Sequence, residues 1–320
     1  MRSQAARFLW AQQAEDGGFH SQTYGLLRSG QSLTPLVLGA LLGVPATVLP
    51  PPRGAVDRAL EFLKKNTTQD GVVGRMGDSV DYPNYATALA LTVIVKARRR
   101  DYEREIAPIA AQLRTQQFSE ANGWKREEAP YGGWGIGGAL HVPPEAGHVD
   151  LSMTRYVMEA LAASGVPPSD AVMTRALVYL DRSRNADGGF YFSPVNADTN
   201  KAGEAKDGFA SYGTTTADGL LALRAAGIPD TDERIASGVR WLRAHHQPDR
   251  APGFDLEPYQ TWASGLRFYY ADVISRVLPD LPVSLPPQEA DGSFRNANNL
   301  VKEDDPLIAT SFAVNALSQR

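Results

Sequence analysis

One carboxylic acid stands inside a segment otherwise built of Thr, Gly, Ala and Leu: Asp218, between Thr214 and Leu223. Burial without a nearby cation raises the pKa of a carboxyl and keeps it protonated, the state a proton donor needs. Asp218 is therefore a candidate general acid; the alternative is a side chain hydrogen-bonded to a neighbouring helix or loop. Asp272, in Tyr269-Tyr270-Ala271-Asp272, is a second acid of that kind. A further group gathers at His141, Glu145, His148 and Asp150. Its residue types suit a metal, but its spacing fits no ligand motif. The competing reading is a solvated rim in which Asp150 or Ser152 caps the helix that follows. Asp150 is the second candidate catalytic acid. Asp304-Asp305-Pro306 reads as a helix cap with Pro in the first turn rather than as a diphosphate–Mg²⁺ site, since no loop supplies a basic cluster. The chain has no cysteine, which removes thiol nucleophiles, disulfides and thiolate metal sites.

What must position these groups is a repeat. A threonine returns at one place in a helix, followed six and seven residues later by Ala or Val and then Leu or Ile: Thr34, Thr87, Thr154, Thr216 and Thr310. Before most of them comes a polar run, then Asp-Gly and an aromatic: Gln13…Asp16-Gly17-Gly18-Phe19, Asp70-Gly71, Gln117…Asn122-Gly123-Trp124, Asp187-Gly188-Gly189-Phe190 and Asp291-Gly292-Ser293-Phe294. A period of roughly 40–65 residues marks one supersecondary unit copied along the chain.

Each copy reads as two helices. The first is amphipathic, as in Val56, Ala59, Leu60, Leu63 or Val172, Ala176, Leu177, Leu180. The second, such as Thr87 to Ile94 or Thr216 to Ala226, is apolar nearly all round and belongs inside. The spacing predicts outer helices beginning near Ser3, Ala55, Arg104, Ser169 and Thr231. Inner helices are expected over 33–44, 85–98, 151–164, 213–227, 262–278 and 307–319. Ser152, Ser211 or Asp305 can cap inner-helix starts. Pro279, Pro282, Pro286 and Pro287 forbid a regular sixth outer helix and predict an extended strap. The fold class is all-α, an (α/α)₆ toroid of hairpins forming one domain over residues 1–320. The long connections 123–149 and 193–211 are expected to be functional rims or covers.

Composition narrows the partners. A net charge of −4 and a pI near 5.8 give no basic stripe, so nucleic acid is not expected. No run approaches the ~18 apolar residues of a membrane span. Met1-Arg2-Ser3-Gln4 opens no signal peptide, although an upstream leader stays open. A cytoplasmic setting is expected, with peripheral membrane contact left open.

Gln-x-x-Asp-Gly-Gly-Phe at Gln13 to Phe19 resembles the repeat of squalene-hopene and oxidosqualene cyclases, whose toroid is shared by protein prenyltransferase β subunits. Tyr131-Gly-Gly-Trp134-Gly, Asp150-Leu-Ser-Met-Thr154 and Tyr212-Gly-Thr-Thr-Thr216 resemble single-toroid bacterial squalene cyclase-like proteins. The resemblance implies a central cavity faced by the residues two before and two after each threonine. These are Ser32, Leu36, Tyr85, Leu89, Ser152, Tyr156, Thr214, Asp218, Ile308 and Phe312. In the cyclases the general acid is the Asp two before Thr in Asp-x-Asp-Asp-Thr. None of Ser32, Tyr85, Ser152, Thr214 and Ile308 is acidic, so that motif is absent. The prenyltransferase zinc site would need a thiolate where Ser152 stands, and no metal or cofactor is expected. The implied partner is an isoprenoid or other apolar small molecule, held by Tyr85, Ser152, Tyr156, Thr214, Tyr212, Trp134 and Phe312. The aromatic rings there could also stabilise carbocations. The turn aromatics Phe19, Trp124, Phe190 and Phe294 are assigned to packing. Two rivals remain: an isomerase or lyase using Asp218 or Asp150, and an interaction scaffold using the two long loops. An open apolar cavity reached by an acid favours an enzyme, one without an acid favours a carrier, and a filled centre favours the scaffold.

Overall fold

The helices pair as the periodicity predicts. In the computed structural model, which describes residues 1–76, 79–206 and 208–319, α1 (Arg2–Ala11) leads to α2 (Leu33–Leu41) and α3 (Ala55–Lys65) to α4 (Pro83–Ala97). Next come α5 (Ile106–Thr115) with α6 (Leu151–Ala163) and α7 (Ala171–Arg182) with α8 (Gly213–Ala225). The chain ends with α9 (Glu233–His245), the short turn α10 (Thr261–Gly265), α11 (Arg267–Val277) and α12 (Pro306–Ser318). The amphipathic helices lie outside: α3 buries Val56, Ala59, Leu60 and Leu63 and leaves Asp57 and Arg58 in solvent. The apolar ones form the inner ring. α2, α4, α6, α8, α11 and α12 pack each on the next, and α12 returns to α2, so the ring closes. The sixth outer position, 279–288, holds no helix. Without a backbone N–H, its prolines could not have continued one.

The recurring threonine has one job in all five copies. Its hydroxyl accepts the backbone N–H of the turn that precedes the inner helix: Phe19 to Thr34 (2.9 Å), Val73 to Thr87 (2.9 Å), Trp134 to Thr154 (3.1 Å), Phe190 to Thr216 (3.0 Å) and Phe294 to Thr310 (2.9 Å). All five threonines are buried. Each of these turns also has a glycine at positive φ pressed against the next outer helix. A Cβ on Gly17 would stand 2.3 Å from the Arg58 carbonyl oxygen, and one on Gly132 2.0 Å from that of Arg175. The residue is glycine because backbone meets backbone there. Replacing Thr216 by Val keeps the shape and strands the Phe190 N–H, which should cost about 1–3 kcal/mol in urea denaturation. A cost below that range in the Thr34→Val variant too would remove the threonine from its assigned role.

The third copy corrects the sequence reading. Its turn is Gly132-Gly133-Trp134, with Gly132 at φ +88°, and not the Asn122-Gly123-Trp124 segment. Gln117 donates to the Gly132 carbonyl (3.1 Å) and to that of Val172 on α7 (2.8 Å). Gln13 does the same with Gly17 (3.0 Å) and with Ala55 on α3 (2.9 Å). Residues 118–131 are therefore an insertion between the glutamine and its turn. Trp134 accordingly belongs to packing rather than to ligand binding. It is fully buried, and its indole N–H donates to the Leu113 carbonyl (2.7 Å). Trp124 covers the insertion, donating to the His141 carbonyl (3.0 Å). Helix capping is corrected as well: Asp150 and Asp305 cap α6 and α12, while Ser152 and Ser211 cap nothing.

Candidate functional site

The inner ring is not filled. A cavity of about 410 Å³ opens at the N-terminal ends of the inner helices, within the size range of small-molecule sites. Eight of the ten residues expected to face the lumen line it: Ser32, Leu36, Tyr85, Ser152, Tyr156, Thr214, Ile308 and Phe312. Tyr212 and Asp150 line it too. Its floor is aromatic: Tyr85 meets Tyr156 edge-on with centroids 4.7 Å apart, and Tyr269 lies 5.4 Å from Phe312. Leu89 faces a second cavity of about 470 Å³ at the opposite end of the toroid, walled by Lys96, Glu159, Arg224, Asp272 and Arg276. Leu36, Tyr156 and the buried Arg155 separate the two.

Asp218 is not the isolated acid that the sequence suggests. It is fully buried and does not line the first cavity. Its carboxyl accepts from Arg155 Nε (3.0 Å), the Ser152 hydroxyl (2.5 Å) and the Tyr269 hydroxyl (2.8 Å). Burial pushes its pKa up, while Arg155, Ser152 and Tyr269 pull it back. The cation missing from Asp218's own helix face stands on the neighbouring inner helix. Arg155 continues to Glu159 (2.8 Å), which also pairs with Arg276, so an ionic chain crosses the lumen floor. Asp272 hangs beside it, held by Asn315 Nδ2 (3.0 Å) and pushed up by burial.

Asp150 is the one carboxylate on the cavity wall among the described residues. One oxygen caps α6 by accepting the Met153 N–H (2.7 Å), and the other lies 2.8 Å from His148 Nε2. Residues Trp134–Gly135, paired antiparallel with Val149–Asp150, fix this corner. His141 and Glu145 do not join it: His141 stacks on Phe118 and Glu145 is exposed. No group of three or more metal-binding side chains forms among the described residues.

Two wall residues had escaped the sequence reading. Lys201, in the 193–211 loop, sits 3.5 Å from the centroid of Phe192 and 5.6 Å from that of Trp262. Burial pulls its ammonium down to about 8, with Asp150 and Asp218 limiting the fall. Lys302, just before α12, lies 5.6 Å from the centroid of Tyr24 and 5.7 Å from that of Tyr82. Both come from irregular segments, where no period marks an inward side chain. The only signal was the length of the loops.

With this geometry in place, the chain can be set beside known proteins. The sequence matches no protein-family model and no curated protein. Solved structures do match. The type II terpene cyclase MstE from Scytonema, ligand-free, aligns at a TM-score of 0.59 with 15% identity, covering 99% of this chain and 96% of that one. An MstE variant bound to its substrate geranylgeranyl dihydroxybenzoate aligns at 0.59 with 16% identity, over 99% and 95%. A glycoside hydrolase family 76 mannosidase from Bacteroides thetaiotaomicron aligns at 0.55 with 11% identity, over 100% and 97%. The chain therefore has the α/α toroid of terpene cyclases, a fold that glycosidases also use. At these identities the likeness speaks for the fold alone.

Proposed function

We propose that the toroid binds an isoprenoid or other apolar-chain ligand in the cavity at the inner-helix N-termini. The observation that carries this is the wall itself. Leu36, Tyr85, Tyr156, Ile308 and Phe312 give an apolar, aromatic-floored space in the middle of the ring. Burying a chain there removes apolar surface from water on both partners. Proteins of the same fold hold geranylgeranyl dihydroxybenzoate or merosterolic acid A, the substrate and product of MstE. A cytoplasmic setting with peripheral membrane contact belongs to the same proposal; no described helix is long and apolar enough to cross a membrane.

A second reading, cyclisation of the ligand by a relocated acid, is favoured by one observation: Asp150 reaches the cavity with His148 beside it. Asp218, closed off behind Ser152, is the weaker candidate for proton donor. Native mass spectrometry with lipid extraction on the purified protein and on Asp150→Asn separates these readings. Asn caps helices as well as Asp does, so the variant should fold. An isoprenoid held by both forms makes the protein a carrier. A product formed only by the parent makes it an enzyme. A protein that carries no lipid and ignores added squalene and geranylgeraniol overturns the proposal in favour of a scaffold.

A further inference from the structure

The polar groups of the cavity wall are not alike in what they still have to offer. The Ser32 hydroxyl is engaged by Asp81 (2.7 Å) and that of Ser152 by Asp218 (2.5 Å), while both oxygens of Asp150 are taken. The two lysines differ. An ammonium has three donors. Lys201 makes one long hydrogen bond, to the Thr199 carbonyl at 3.4 Å, and Lys302 one, to the Tyr82 hydroxyl at 3.3 Å. Among the described residues neither forms an ion pair.

Aromatic faces hold both in place, so they are cations positioned on an apolar wall with donors to spare. Lys302 is held in a further way: it is a non-glycine residue in left-handed backbone at φ +64°. Such a conformation persists where the surroundings over-determine it. Here the next residue, Glu303, is fully buried and accepts the Phe268 and Tyr269 N–H groups at the start of α11 (2.9 and 2.8 Å). The chain as a whole is acidic, yet this wall has two ammonium groups against one carboxylate, and that carboxylate is satisfied.

Resting on the cavity reading above, we propose that the ligand is an amphiphile whose anionic head, a carboxylate or a phosphate, is held by Lys201 and Lys302 while its chain lies over Tyr85, Tyr156 and Phe312. A charged acceptor would fill the open donors of both lysines, and charge-assisted hydrogen bonds in a largely apolar wall are the strong kind. A neutral hydroxyl head offers fewer lone pairs and an uncharged acceptor, and so the weaker bond.

The test is calorimetric titration of the full chain with geranylgeranoic acid, geranylgeranyl phosphate and geranylgeraniol. At pH 7 at least one anionic probe should bind about ten-fold or more tightly than the alcohol. Lys201→Met and Lys302→Met should each lose most of that preference while still binding the alcohol, and the circular dichroism and urea midpoint of each should match the parent's, which shows that they are folded. Whichever anion binds better identifies the head. Raising the pH from 7 to 9 should weaken the anion but not the alcohol. Asp150 and Asp218 also act on Lys201, and Glu303 stands next to Lys302, so the same series is run on Lys201→Met and on Glu303→Gln; the weakening that belongs to Lys201 is the part lost in the first and kept in the second. Equal affinity for all three probes, or a preference unmoved by both substitutions, overturns the head-group assignment and leaves the apolar cavity standing. If no probe binds, the cavity reading falls, and this inference falls with it.

Discussion

An Arg155→Met variant is expected to lose about 3–5 kcal/mol of unfolding free energy at neutral pH, enough to threaten the native state of a typical domain. Arg155 is 1% exposed and serves Asp218 and Glu159, as well as accommodating the Tyr269 hydroxyl (2.7 Å) and the Tyr156 ring, 3.5 Å from its guanidinium carbon. Methionine fills much of the same volume, so the loss is one of charge more than of packing. Removing one partner of a buried ion pair leaves the other desolvated with nothing to offset it. The cost should exceed anything the pair contributes when intact.

Two further measurements separate this account from simple misfit. In Arg155→Met/Asp218→Asn the stranded carboxylate is gone, so part of the loss should be recovered, with a coupling well outside additivity. The loss in Arg155→Met should also shrink at low pH. Without the guanidinium, burial acts on Asp218 with less opposition and its folded pKa rises further above the unfolded one. A raised folded pKa makes an acid's contribution more favourable when protonated and costly as pH climbs. Urea denaturation of parent and variant at pH 4.5 and 7.5 reads the difference. A gap that does not change with pH, together with no recovery in the double variant, would show that Asp218 is not the group Arg155 serves.

The same pair shows where sequence reasoning reached and where it stopped. The threonines and glycines were legible because each copy of the hairpin must solve one problem, holding a turn against the next outer helix, and chemistry that repeats leaves a period. The lumen register joined those threonines to the resemblance: residues two before and two after share a helix face, and the resemblance implied that this face looks into the cavity. Eight of the ten residues it names line the cavity. The third copy was misread because residues 118–131 separate Gln117 from Gly132, and the nearby Asn-Gly-Trp segment imitates the turn. Arg155 was overlooked although it interrupts an apolar helix as plainly as Asp218 does. Each was a violation of the pattern, and the two cancel only when α6 is laid against α8. Lys201, Lys302 and Glu303 come from segments without a period, where only the closed ring decides which side chains turn inward.

Glu303 should impose a pH dependence opposite in sign to that of a surface-paired carboxylate. Burial pushes its carboxyl up to about 7, against the pull of the Phe268 and Tyr269 N–H groups, Asn296 Nδ2 and the nearby Arg267 charge. Between the ordinary glutamate value of 4.5 and about 7, the folded chain then binds a proton that the unfolded chain has released. Stability from this group is fully present below pH 4.5 and is lost as pH rises to about 7, by about 3 kcal/mol in all. Glu303→Gln, which cannot titrate, should lack that slope. It should start from lower stability at pH 5, because one amide oxygen must replace a carboxyl that served two backbone donors. The gap to the parent should therefore narrow toward pH 8. Denaturant titrations of both forms across that range would decide it, and parallel slopes would show that the carboxyl does not cross this window. The consequence reaches the cavity, since Glu303 ties residues 300–303 to the start of α11, and Leu300, Val301 and Lys302 form part of the cavity wall. Ionising Glu303 loads the anchor of that wall, so a ligand gripping Lys302 and the protonation of Glu303 should be linked, each stabilising the folded loop on which the other depends.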